Sequence, residues 1–144
     1  MFGVIGLLLF FGVALPASRI DLEQFRIPDT LSLGGIAAFA VLRLVLHGEP
    51  PGQLCLEITV GFGAFWALGA ITRGGMGLGD AKFSAFIASA AGLSGWVVAV
   101  VVASLLGCLC AGRWRGRIPF APFLTAGAAP VILLANLPGW RALS

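Results

Sequence analysis

Six apolar runs, separated by brief connections, constrain this 144-residue chain more than any other feature of its sequence. They cover about residues 2–19, 30–47, 55–72, 79–92, 95–112 and 119–136. A helix needs roughly 17–25 apolar residues to cross a bilayer, and fewer where neighbouring helices support it. Connections this brief imply antiparallel neighbours. The sequence therefore predicts an all-α polytopic membrane protein, a compact bundle of about six transmembrane helices that forms one integral-membrane domain over residues 1–144.

The composition excludes a water-soluble domain, a disordered tail and a nucleic-acid-binding module. Hydrophobic residues make up 59% of the chain and charged residues 10%, whereas roughly a quarter of a soluble domain is charged. So much apolar surface on a short chain cannot be buried in one small core. The net charge of +3 comes from basic residues in short clusters between apolar runs, so it does not indicate a nucleic-acid partner. The bilayer is the expected surroundings.

The basic residues predict the orientation of the bundle. In a six-span arrangement, Arg43 lies inside the second run and Arg141 lies near the C-terminus. The odd-numbered loops carry Arg19, Arg26, Arg73, Arg113, Arg115 and Arg117, and Lys82 lies just beyond the third loop. Cytoplasmic loops are enriched in Lys and Arg, so we expect both termini to lie outside the cytoplasm. A five-span arrangement would move the Arg113–Arg117 cluster to the other side, which favours keeping the short fourth span.

The first run is predicted to be a retained span rather than a cleaved signal peptide. A signal peptide begins with a basic segment, and no Lys or Arg precedes Arg19. The charge follows the apolar run instead of leading it. We therefore expect this run to stay in the membrane.

The sequence predicts no metal site. Cys55, Cys108 and Cys110 include no CxxC pair and no zinc-ligand spacing, and residues two apart on a helix face different directions. We expect the cysteines to be small apolar residues packed among the helices. His47 lies in a Gly/Pro-rich loop without another His or Cys nearby, so we expect a solvated loop residue.

Asp80 is the most conspicuous ionisable residue. It follows a glycine-rich segment, Gly74–Gly79, and precedes an unbroken apolar stretch that starts at Phe83. An ionisable group within a span is expensive and points to a functional site. A helix N-cap is the alternative, but a cap does not explain four glycines, which allow close approach of another chain. Lys82 is placed to pair with a carboxylate or a lipid phosphate.

Asp21 is expected at the same depth as Asp80, because it closes the first span at the face where the fourth begins. Two carboxyl groups brought together can share one proton, so that one activates water while the other protonates a carbonyl oxygen. No GxSxG, HExxH or Cys/His pair suggests another hydrolytic route. Asp29 follows Pro28 and precedes the second run, which favours a helix-capping role for Asp29.

Three segments resemble the signatures of the type IV prepilin peptidases, in that family's order. Asp21-Leu-Glu-Gln-Phe-Arg-Ile-Pro-Asp29 resembles the first signature. Gly77-Leu-Gly-Asp-Ala-Lys82 resembles the second, a GxGD motif followed by a lysine. Ile118-Pro-Phe-Ala-Pro-Phe-Leu124 resembles the proline-rich opening of the last span. The resemblance covers nearly the whole chain.

The resemblance implies a membrane aspartic endopeptidase that removes basic leaders from prepilins or pseudopilins at the cytoplasmic face of the bacterial inner membrane. Asp21 and Asp80 would be the catalytic pair. The supporting motif residues would be Gly77, Gly79, Lys82, Pro28 and Asp29. No cofactor and no metal ion are expected, because the carboxyl pair activates water itself.

The chain is similar to the short peptidases of tight-adherence (Flp-type) pilus systems. Long bifunctional members carry an additional N-terminal part with a cysteine-rich, zinc-binding loop linked to N-methylation. Here the sequence begins at the first apolar run and contains no CxxC, so we expect no methyltransferase activity. Two other interpretations stay open: a small transporter or channel that uses Asp80 and Lys82, and a non-enzymatic pilus or secretion assembly subunit in which the aspartates are caps.

Overall fold

The computed structural model describes residues 3–73, 76–110 and 118–135. Gly74, Gly75 and the Arg113–Arg117 cluster lie outside these ranges. The helices are α1 Gly3–Gln24, α2 Asp29–Val41, α3 Pro51–Ile71, α4 Leu78–Cys110 and α5 Phe120–Ala135, and a π-helical segment, Leu42–Leu46, extends α2. Helices α1, α2 with its extension, α3 and α4 are long and apolar enough to cross a membrane, and α5 is a shorter apolar helix. The predicted all-α polytopic membrane fold is confirmed.

Helix α4 folds back on itself at Gly92. This residue has φ 72° and ψ 172°, a conformation that glycine adopts without steric cost. The indole N–H of Trp96 donates to Ser84 Oγ at 2.8 Å, although a straight helix would separate these residues by about 18 Å. The arms, residues 78–91 and 93–110, therefore lie side by side as two of the six predicted segments. The turn predicted over 92–95 is shorter than expected, because one glycine reverses the chain.

The first arm of α4 forms the centre of the bundle. Its residues from Phe83 to Ala90 are all buried. The Phe86 ring stacks on Phe10 of α1 and meets Phe39 of α2 edge-on, both with ring centroids 5.9 Å apart. Gly61 of α3 packs so closely that a Cβ added to it would lie 2.7 Å from a side chain of this arm. Because protein surrounds the arm, a short helix with charged residues at its start is tolerated there.

Arg43 forms a buried ion-pair network in the π-helical segment. Its guanidinium donates to Glu57 of α3, to Glu49 Oε2 at 2.6 Å and to the Ser89 carbonyl oxygen at 3.0 Å. Arg43 is 4% exposed and Glu57 is 3% exposed. No partner for Arg43 was predicted from the sequence. Arg43 and Glu57 have opposite charges and lie in two successive apolar runs, and this pattern could have indicated the pair. Pairing is what makes a charge acceptable in a membrane span.

Candidate active site

The carboxyl group of Asp21 lies at the end of α1 and is fixed by α5. Asp21 is 4% exposed, and its Oδ2 accepts a hydrogen bond from the main-chain N–H of Ala121 at 3.0 Å. Ala121 lies in the first turn of α5, where backbone N–H groups have no partner within the helix. Nothing in the sequence indicates this contact, because any residue except proline can supply a backbone donor.

The carboxyl group of Asp80 lies in the first turn of α4. Its Oδ2 accepts a hydrogen bond from the main-chain N–H of Gly77 at 3.2 Å, and the Gly77 carbonyl oxygen accepts from the N–H groups of Asp80 and Ala81 at 3.1 and 3.4 Å. Gly77 therefore occupies the N-cap position before α4, and the Asp80 side chain reaches back to it as in a capping box. The alternative in which Asp80 itself is the N-cap residue does not hold.

One cavity of about 810 Å³ brings the two aspartates together. They come from the end of the first predicted span and the start of the fourth, and their charges are close enough to interact. The cavity is lined by both arms of α4 and by the beginnings of α2 and α5. Four of the predicted supporting residues also line it: Asp29, Gly77, Gly79 and Lys82. Two carboxyl groups that line one cavity are the arrangement that can activate water toward a bound carbonyl group.

Asp29 pairs with Lys82 and does not cap α2. The Asp29 Oδ2 atom lies 2.7 Å from Lys82 Nζ, while Pro28, in an extended conformation, occupies the N-cap position without a side-chain hydrogen bond. The capping role predicted for Asp29 is therefore wrong, because the helix begins one residue earlier than expected. The prediction that Lys82 pairs with a carboxylate is confirmed.

The supporting residues Pro28 and Gly79 shape the walls around the cavity. Pro28 lines a smaller neighbouring cavity of about 370 Å³ together with Asp29. A Cβ added to Gly79 would lie 3.5 Å from Ile27 Cβ and 3.6 Å from its main-chain N and O. The glycine thus lets the segment before α2 pack onto the start of α4.

The cysteines and the histidine form no metal site within the described part of the chain. There, no group of three His, Cys, Asp or Glu side chains is placed to hold a metal ion. Cys55 and Cys108 are free and exposed, and Cys108 lines the cavity. The prediction that these two pack among the helices is wrong, because both are exposed. His47 is an exposed loop residue, as predicted.

Comparison with known proteins agrees with the geometry. Residues 8–112 match the model of the type IV leader peptidase family. The chain is 29% identical over 149 residues to a prepilin leader peptidase/N-methyltransferase of Neisseria gonorrhoeae, and the match covers 97% of this chain and 52% of that protein. It is 32% identical over 141 residues to a protein of the same name from Burkholderia pseudomallei (strain 1026b), with 85% and 44% covered.

The chain thus spans about half the length of the curated relatives it matches. No solved structure gives a significant match. The family match runs from α1 through α4 and includes both Asp21 and Asp80. On this evidence, the chain belongs to the type IV leader peptidase family.

Proposed function

We propose that this chain is a membrane aspartic endopeptidase that cleaves the basic leader peptide from type IV, Flp-type, prepilins or pseudopilins. The observation that carries the proposal is the shared cavity, since α1 and α4 each deliver one carboxyl group to it. The family and the printed names of the relatives support peptide-bond hydrolysis of such substrates. The Flp-type assignment rests on the sequence resemblance.

Hydrolysis at this site needs only the two carboxyl groups and one water molecule. The ionised carboxylate takes a proton from water while the water oxygen attacks the scissile carbonyl carbon, and the protonated partner donates its proton to the carbonyl oxygen. As the C–N bond breaks, a hydroxyl group of the resulting diol returns a proton to the carboxylate that protonated the carbonyl oxygen. The leaving nitrogen takes its proton from the carboxyl group that accepted a proton from water. The pair is then ready for another cycle.

Two backbone N–H groups orient the pair for this reaction. Ala121 holds one oxygen of Asp21, and Gly77 holds one oxygen of Asp80. Because both donors are main-chain groups at helix beginnings, the carboxyl groups are positioned before substrate binds, as preorganised catalysis requires.

The cavity fits an extended peptide with apolar and basic neighbours. Aromatic and aliphatic side chains that line it include Phe25, Leu78 and Phe120. Its described charged residues are three carboxyl groups and two cations, Arg26 and Lys82. Arg26 belongs to a loop that the positive-inside rule assigns to the cytoplasm, and Lys82 lies in the first turns of α4, just beyond the next such loop. This supports an active site at the cytoplasmic face of the inner membrane.

Cleavage of a candidate prepilin tests the proposal. Co-expression with the chain is expected to shorten the prepilin on a gel, and N-terminal sequencing is expected to place the new terminus directly after the leader. Asp21→Asn and Asp80→Asn should each lower the rate by about 10²–10⁴-fold, because asparagine keeps the size of the side chain but does not exchange the proton.

Glu23→Gln is the matched control, because Glu23 lies on the same helix end as Asp21 but is exposed and paired with Arg19. It is expected to cleave at the wild-type rate. Wild-type cleavage by either aspartate variant would exclude the carboxyl-pair mechanism. An intact leader in the presence of the wild-type protein would favour the transporter or the assembly subunit.

A further inference from the structure

We propose that Ser18 and Thr125 are a positioning pair that sets the register of α1 against α5 and thereby orients Asp21. This inference rests on the proposed function, in which Asp21 is one of the two catalytic carboxyl groups. Ser18 Oγ and Thr125 Oγ1 share a hydrogen bond of 2.8 Å. The two side chains are 8% and 6% exposed.

The Ser18–Thr125 bond lies one helical turn from the bond that holds Asp21. Ser18 precedes Asp21 by three residues on α1, and Thr125 follows Ala121 by four residues on α5. Both bonds join the same two helices. At 1.5 Å per residue, the two hydrogen bonds are separated by about 5 Å along the bundle. A shift of α1 against α5 that moves one of these bonds therefore moves the other as well.

The buried faces of these two helices contain both large and small apolar residues. The small ones are Ala14 and Ala17 on α1 and Ala121 and Ala128 on α5, beside the larger Phe10, Leu124 and Ile132. Small residues allow two helices in a membrane to come close, whereas hydrogen bonds between side chains add direction. The hydrogen bond between Ser18 and Thr125 supplies that direction next to Asp21.

The sequence at the start of α5 makes the register matter. Ala121 provides the N–H that Asp21 accepts, and the next residue is Pro122. Proline has no backbone N–H. If α5 slipped by one residue toward its beginning, Pro122 would take the place of Ala121 and offer no donor there. The correct register is therefore the one in which Ala121 meets the carboxyl group.

Cleavage kinetics of the full chain in detergent or vesicles test the inference. Thr125→Val and Ser18→Ala are each expected to lower kcat by about 10- to 100-fold, the effect of a misplacement of about 1 Å. KM should stay within about twofold of the wild-type value, because both hydroxyls lie outside the cavity that is proposed to bind the peptide. The double variant should lose no more than the worse single variant, since each removes the same bond.

Thr125→Ser keeps the hydroxyl and is expected to restore most of kcat. Ser89→Ala is the matched control, because the buried Ser89 hydroxyl donates to the Phe86 carbonyl oxygen within its own helix; this variant should keep the wild-type kcat. Additive losses, an unchanged kcat, or failure of Thr125→Ser to rescue would overturn the inference. If Thr125→Val does not insert, Ser18→Ala decides the same question.

Asp21→Asn, measured in parallel, separates the inference from the proposed function. An inactive Asp21→Asn variant beside a fully active Thr125→Val variant overturns only the positioning role. An active Asp21→Asn variant overturns the proposed function and the positioning role with it.

Discussion

Lys82 Nζ lies 2.7 Å from Asp29 Oδ2, and this ion pair joins the beginning of α4 to the beginning of α2. Both residues line the cavity that holds the aspartate pair. The Asp29 side chain is 59% exposed, and exposed ion pairs contribute little to folding. The ion pair is therefore expected to position the walls of the cavity and to contribute little to the stability of the bundle.

Breaking this pair is expected to slow cleavage moderately. Asp29→Asn and Lys82→Gln should each lower kcat/KM by about 3- to 10-fold, which corresponds to roughly 1 kcal/mol. The exchange Asp29→Lys with Lys82→Asp should recover part of the loss, because it restores opposite charges. Initial cleavage rates measure the effect. A loss as large as that of Asp21→Asn would instead show that Asp29 or Lys82 contacts the reacting peptide.

The orientation of the bundle is tested by a reporter enzyme that is active only outside the cytoplasm. Inserted after Arg73, at the end of α3, the reporter should be silent. Inserted at Gly48, in the connection before α3, it should be active. These results are expected because Arg19, Arg26 and Arg73 lie in the basic loops. The reverse pattern would place the cavity on the outer face and contradict the proposed site of cleavage.

Loss of Arg43 is expected to destabilise the fold strongly. Arg43→Met should lower the free energy of unfolding by about 3–5 kcal/mol, because it leaves Glu57 buried without its partner. Replacing Glu57 by Met as well should recover most of that loss. Thermal unfolding in one detergent measures both, and Arg19→Met, which breaks an exposed pair, is the control with little expected change. Equal destabilisation by the single and double variants would contradict this account.

The difference between Asp21 and Arg43 shows what the sequence can predict here. Hydropathy predicted the apolar runs, and the motifs around Asp21 and Asp80 predicted the pair of aspartates that lines one cavity in the structure. The Ala121 donor depends on which helices pack together, which a single apolar run does not encode, and the Arg43–Glu57 pair shows only when the charges of two runs are compared. The cap assigned to Asp29 failed for a related reason, because a charged partner on another helix competes with local capping.

Close packing between α5 and the second arm of α4 predicts a sharp effect at Gly127. A Cβ added there would overlap the main-chain carbonyl oxygen of Ala99. Gly127→Ala should therefore destabilise the fold by about 1–3 kcal/mol. At Gly34 nothing lies within 4 Å of an added Cβ, so Gly34→Ala should be neutral or stabilise by up to about 1 kcal/mol. Similar unfolding midpoints for the two variants would contradict the packing.

The chain is expected to cleave without methylating. The relatives carry N-methyltransferase in their names, but the three cysteines of this sequence form no CxxC pair. Purified protein, supplied with a prepilin and a methyl donor, should release a mature pilin with an unmodified amino terminus. Intact-mass measurement decides the question, because one added methyl group would show that this stretch of chain performs both reactions.

The beginnings of α2, α4 and α5 meet at the cavity, where Asp29, Leu78 and Phe120 line its wall. The peptide dipoles of a helix add up to a partial positive charge at its first turn. Three such ends face a cavity that contains three carboxyl groups, so each offsets part of their mutual repulsion, by about 0.3–1 kcal/mol per helix end. This electrostatic field arises from peptide groups, so it does not depend on which side chains line the cavity. Negative charge that develops on a bound carbonyl oxygen therefore forms where the main chain already favours an anion.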